Sequence, residues 1–155
     1  MTKLKVGVYS FTCCEGCTIV LVEALNKHFD EWIEKIDFVD FRVLKPYSGV
    51  NKTDVAFCEG AISTKSEIKK LKEVRSKTKH LVAYGAGATI GFPSDQRNKF
   101  SPKKLAEIAE DIKKFKQIEK IQPIKNFVKV DSEIPGCPVD INVVINKIED
   151  LLKGK

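Results

Sequence analysis

Short apolar runs, each stopping at a turn and giving way to helical spacing, constrain this chain more than any other feature. Residues 3–9 alternate as a strand and run into Cys13-Cys14-Glu15-Gly16-Cys17, after which Ile19, Val20, Val22, Leu25, Phe29 and Trp32 follow a helical period. Residues 36–44 have a period of two and end near Pro46 and Gly49. Residues 54–58 form an apolar run of the kind buried in a parallel sheet. Thr64 or Ser63 can cap a helix with Glu67, followed by Ile68, Leu71 and Val74. Residues 80–84 predict a fourth strand, broken by a glycine loop at 85–91. Ser101-Pro102 then opens a helix running through Phe115. A proline-punctuated stretch from Gln122 to Asp131 leads to Pro135-Gly136-Cys137-Pro138 and a last helix over 139–152.

Strands alternating with helices predict an α/β fold, a mainly parallel sheet with helices on both faces. In such sheets the loops beyond the carboxyl ends of the strands collect at one edge, where ligands bind. The cysteine loop, Cys58-Glu59-Gly60, the glycine loop and the Pro-Gly-Cys-Pro turn are all expected there. At 155 residues the chain is read as one domain, 1–155, long enough to bury about 70% of its unfolded surface without disulfides.

No stretch approaches the ~20 apolar residues of a membrane span, and nothing reads as an export signal, so a cytoplasmic location is expected. In that reducing setting five cysteines point to metal or redox chemistry rather than structural disulfides. The charge of +6 comes from lysines set beside Glu and Asp in helical patterns, which reads as solvated faces and not as a nucleic-acid footprint. Thiolates suit iron-sulfur clusters and zinc, and Cys14-x-x-Cys17 with a distant Cys137 is favoured as a cluster site. Closed structural zinc and a thioredoxin-like Cys14/Cys17 pair stay open as alternatives. Cys58, at a strand end, reads by itself as a small apolar core residue. The glycine loop lacks the Gly-x-Gly-x-x-Gly form, which argues against a dinucleotide site. His28 and His80 are read as surface residues.

The motifs Cys14-Glu15-Gly16-Cys17, Glu59-Gly60-Ala61-Ile62, Gly85-Ala86-Gly87-Ala88 through Arg97-Asn98, and Ile134-Pro135-Gly136-Cys137-Pro138 span almost the whole chain. In this order they resemble the small electron-transfer subunit of nickel-iron hydrogenases, especially the short sulfhydrogenase delta and coenzyme-reducing hydrogenase gamma type. The tandem Cys13-Cys14 also resembles the cluster-bearing 20 kDa subunit of respiratory complex I. The resemblance implies a flavodoxin-like three-layer fold and a non-catalytic electron relay. It also implies an iron-sulfur cluster, 4Fe-4S or 3Fe-4S, bound by Cys14, Cys17 and Cys137. The partners it implies are a hydrogenase-type large catalytic subunit and further electron-transfer subunits. A cluster-poor scaffold or assembly subunit, or a complex I-like oxidoreductase subunit, is the alternative. The family's third ligand lies in a Gly-x-Cys-Ala motif where this chain has Gly87. Cys58 is the expected replacement, with Cys13 as the alternative.

Overall fold

The computed structural model describes residues 2–46 and 48–154. In chain order the elements are β1 (Leu4–Ser10), α1 (Gly16–Lys27), α2 (Phe29–Lys35), β2 (Ile36–Phe41), β3 (Thr53–Glu59), β4 (Ile62–Thr64), α3 (Lys65–Lys77), β5 (Thr78–Tyr84), α4 (Gly85–Ile90), α5 (Pro102–Glu107), α6 (Ala109–Lys114), β6 (Gln117–Gln122), β7 (Ser132–Ile134) and α7 (Ile141–Lys153). Five strands form one sheet in the order β2-β1-β3-β5-β7, every neighbouring pair parallel. Counting only these strands, that is the flavodoxin-like order, in which the chain steps one way from β1 to β2 and the other way from β1 to β3. The expected α/β three-layer architecture is therefore present.

Alternation along the strands sends successive side chains to opposite faces and builds two cores. On one face Val6, Val8, Val55, Phe57, Val82 and Tyr84 pack with Leu21, Leu25, Trp32, Val144 and Ile148 from α1, α2 and α7. On the other, Tyr9, Ala56, Cys58, Leu81 and Ala83 pack with Leu71 and Val74 of α3, Ala88 of α4 and Ile124. α3 begins with the expected cap: Thr64 Oγ1 accepts the Glu67 N–H at 3.2 Å, and Glu67 Oε2 accepts the Thr64 N–H at 3.0 Å.

Several expectations need correction. The first long helix divides at His28, whose backbone (φ −118°, ψ 23°) leaves the helical well as its ring stacks on Trp32 at 4.9 Å. The helix from Ser101 likewise divides at Ile108 (φ −106°, ψ 9°) into α5 and α6. The glycine loop is the short helix α4, steadied by Thr89 Oγ1 donating to Gly85 O at 3.0 Å. β4 and β6, which pair antiparallel, and the three-residue β7 were not expected. His28 and His80 are half-buried rather than surface residues, and His80 Nε2 lies 2.9 Å from Ser132 Oγ.

Candidate metal centre

The β1–α1 loop does not hang free at the sheet edge. Phe11 N–H donates to Glu59 O at 2.9 Å, and Thr12 and Ala61 exchange both backbone bonds, at 3.1 and 3.0 Å, so the loop lies along the β3–β4 turn. At the centre of that turn Gly60 takes φ +95°, and a Cβ there would strike Thr12 O at 2.7 Å and Cys13 Cβ at 2.9 Å. Cys13 is thus set against the end of β3 before α1 begins.

α1 has no cap of its own, because Glu15 sits in the left-handed region (φ 61°) without a side-chain bond. Its first N–H groups are met from another strand. Glu59 Oε1 accepts the Cys17 N–H at 3.2 Å, and Oε2 accepts the Thr18 N–H at 2.9 Å and the Thr18 hydroxyl at 2.6 Å. A carboxylate suits the positive end of a helix, and this one is 3% exposed. From β5, the Tyr84 hydroxyl donates to Cys17 O at 2.8 Å. Cys17 is held from both central strands.

On the far side, Ala86 N–H donates to Gly136 O at 2.7 Å and ties α4 to the Pro-Gly-Cys-Pro turn. These segments enclose a cavity of about 290 Å³ lined by Cys13, Cys14, Cys17 and Cys137, with Glu59 and Tyr84 beneath and Phe92 and Pro93 along the rim. Cys14 and Cys137 are exposed, Cys13 is half-buried and Cys17 is buried.

A family model of the NADH ubiquinone oxidoreductase 20 Kd subunit matches residues 14–151. The chain belongs to that family. Among its relatives, the sulfhydrogenase 2 subunit delta of Pyrococcus furiosus is 28% identical over 97% of this chain and 63% of its own length. The chain therefore spans less than two thirds of that relative. The NAD-reducing hydrogenase HoxS subunit delta of Cupriavidus necator is 26% identical over 99% of this chain and 80% of its own. In fold, the chain superposes on a chain of an NAD+-reducing NiFe hydrogenase in the H2-reduced state with a TM-score of 0.87, at 24% identity, covering 99% of this chain and 93% of that one.

In this member of the 20 Kd subunit family the cavity offers thiolates, the soft donors that iron-sulfur clusters and zinc both accept. Among the described residues no three cysteine sulfurs lie within 4.8 Å of one another. Burial pushes the Cys17 thiol up to about 11, with Glu59 and the neighbouring thiols adding to it against a backbone bond from Val139.

Cys58 is not brought to this cavity. It is fully buried in the core beneath α3, and burial pushes its thiol up to about 12. The reason is parity: Glu59, one residue on, points toward α1, so Cys58 points to the other face. Sequence reasoning named the motif around Glu59 without giving the carboxylate a role, although a charged residue ending an apolar strand was the available signal. The Phe92-Pro93 rim carried no such signal.

Proposed function

We propose that this chain is an electron-transfer subunit that holds one iron-sulfur cluster in the edge cavity and works against the catalytic subunit of a hydrogenase complex. The observation that carries this reading is the convergence of Cys14, Cys17 and Cys137, from segments more than a hundred residues apart in sequence, on one cavity. When bound, such a cluster stores and passes single electrons at a potential tuned by burial and by hydrogen bonds to sulfur.

The chain's own residues supply the rest. Glu59 and Tyr84 fix the backbone of Cys17, the Ala86–Gly136 bond fixes the turn bearing Cys137, and Phe92 and Pro93 add apolar surface to the cavity lining. Cys14 and Cys137 lie on the open side, where a partner would cover them. The names of the relatives, subunits of sulfhydrogenase and NAD-reducing hydrogenase, support a hydrogenase-type large subunit as that partner, with further electron-transfer subunits beyond it.

Anaerobic reconstitution with ferrous iron and sulfide tests the reading. Bound iron and sulfide with a broad visible band at about 400 nm are expected; protein that stays colourless and iron-free overturns it. A second reading, a scaffold that binds the partner without carrying current, draws on Gly87, which stands where the resemblance implies the third ligand and whose helix packs closely on Gly60. Cys14→Ser in the assembled complex separates the two: lost electron transfer with intact assembly favours the relay, unchanged transfer the scaffold.

A further inference from the structure

We propose that His28, Glu31 and Glu149 form a site for one divalent cation of the zinc class, at the opposite end of the sheet from the cysteine cavity. This site does not depend on what the cavity holds.

α1 runs back from the cysteine loop to the amino edge of the sheet. There the chain breaks at His28, passes through α2 and enters β2 at Ile36, which pairs with Leu4 at the start of β1. The imidazole of His28 lies over Trp32, with ring centroids 4.9 Å apart and planes 15° from parallel. One turn on from His28, Glu31 Oε2 lies 3.9 Å from its Nδ1. Glu149 arrives from α7 and accepts the Trp32 indole N–H at 2.7 Å. One donor atom from each of His28, Glu31 and Glu149 lies within 4.8 Å of the other two, and among the described residues no other three His, Cys, Asp or Glu meet in this way.

Trp32 organises the group. It is fully buried, and one indole both carries the imidazole on its face and holds Glu149 by its N–H. Ligands oriented from behind in this way are the ones that bind metals well. The donor set is one imidazole nitrogen and two carboxylate oxygens, which suits zinc, cobalt or nickel, whereas oxygens alone would suit magnesium or calcium. Nδ1 offers its lone pair when the ring proton sits on Nε2. Lys35 Nζ bonds Glu31 Oε1 at 2.9 Å, but both side chains are about half exposed, so the ammonium can swing into solvent as a cation enters. A bound ion would tie the α1–α2 junction to α7.

Trp32 is the chain's only tryptophan, so its fluorescence reports on this site and not on the cysteine cavity. The test is an anaerobic titration of the full chain with cobalt(II), whose unpaired electrons quench a neighbouring indole. It is repeated on His28→Phe, Glu149→Gln, Lys35→Met and the double variant Cys14→Ser/Cys17→Ser. Phenylalanine keeps a ring stacked on Trp32, and glutamine keeps an oxygen for the indole N–H, so each removes a metal donor with little change in packing; should one variant unfold, the other decides. Wild type should show saturable quenching by one cobalt per chain, reversed by excess zinc. His28→Phe and Glu149→Gln should each weaken it by at least the roughly tenfold that losing even an outer-shell partner costs. Lys35→Met, which removes the competing ammonium, should bind more tightly, and the cysteine double variant should match wild type. Absence of saturable quenching in wild type overturns the proposal, as does a folded His28→Phe or Glu149→Gln that binds like wild type. Quenching that disappears with the two cysteines overturns it as well, because the metal then sits in the cavity.

Discussion

A methyl group at Gly85 would stand 2.5 Å from the sulfur of Cys17, on a backbone turned to φ +87°. Gly85→Ala is accordingly expected to cost about 1–2 kcal/mol from the left-handed backbone alone, and to push Cys17 off its place in the cavity wall. A urea titration reads the first effect, and reduced iron uptake after reconstitution reads the second. Cys137→Ser is expected to cut iron uptake sharply while leaving the urea midpoint within about 0.5 kcal/mol, because its side chain is exposed. At this scale the grouping of Cys14, Cys17 and Cys137 was legible, since each flanks a turn that the α/β pattern assigns to one edge. The side of the sheet taken by Cys58 was not. The run around it is apolar for both faces, so its alternation carries no direction until Glu59 is seen to cap α1.

α1 draws its N-terminal cap from β3, forty-two residues away in sequence. Glu59→Gln keeps the shape but sets an amide where one oxygen accepted a buried N–H, and is expected to destabilise by about 1–3 kcal/mol in urea. α3 shows the local alternative. Thr64→Ala breaks its capping box, with an expected loss of about 1 kcal/mol. That box was readable because its partners are three residues apart; the Glu59 cap was not, because its partners meet only through the fold. The helix breaks at His28 and Ile108 were hidden for a related reason: apolar spacing continues through both, and only the packing of Trp32, and the turn toward β6, shows where the backbone departs.

Across the whole molecule, the sheet edge at β5 and β7 sets the response to acid. His80 is held below its ordinary 6.5, first by burial and further by Lys147 and Arg75, against the pull of Asp131. At Asp131 burial acts against ionisation, yet the Leu81 N–H at 2.8 Å and the Arg75 guanidinium outweigh it and hold the carboxyl below its ordinary 3.8. Both groups bind protons more readily unfolded than folded. Their stabilisation is therefore complete above pH 6.5 and declines in two stages: first as pH falls from 6.5 through the folded value of His80, then below 3.8 through that of Asp131. Thermal midpoints measured against pH should show both stages, and Asp131→Asn should reduce the lower one, to which Glu31, held down by Lys35, also contributes. The parallel α/β arrangement, by contrast, was legible in the alternation of strands and helices, because parallel neighbours are joined by helices, whereas the flavodoxin-like order was implied by the family resemblance and its edge strand β7 was not expected. The bonds from Glu59 to the Cys17 and Thr18 amides have one more consequence. An edge loop would ordinarily exchange its amide hydrogens through local fraying, but these two can do so only when the end of a central strand lets go. Their exchange should therefore track the opening of β3, placing the mouth of the cavity in the slowest cooperative unit of the protein.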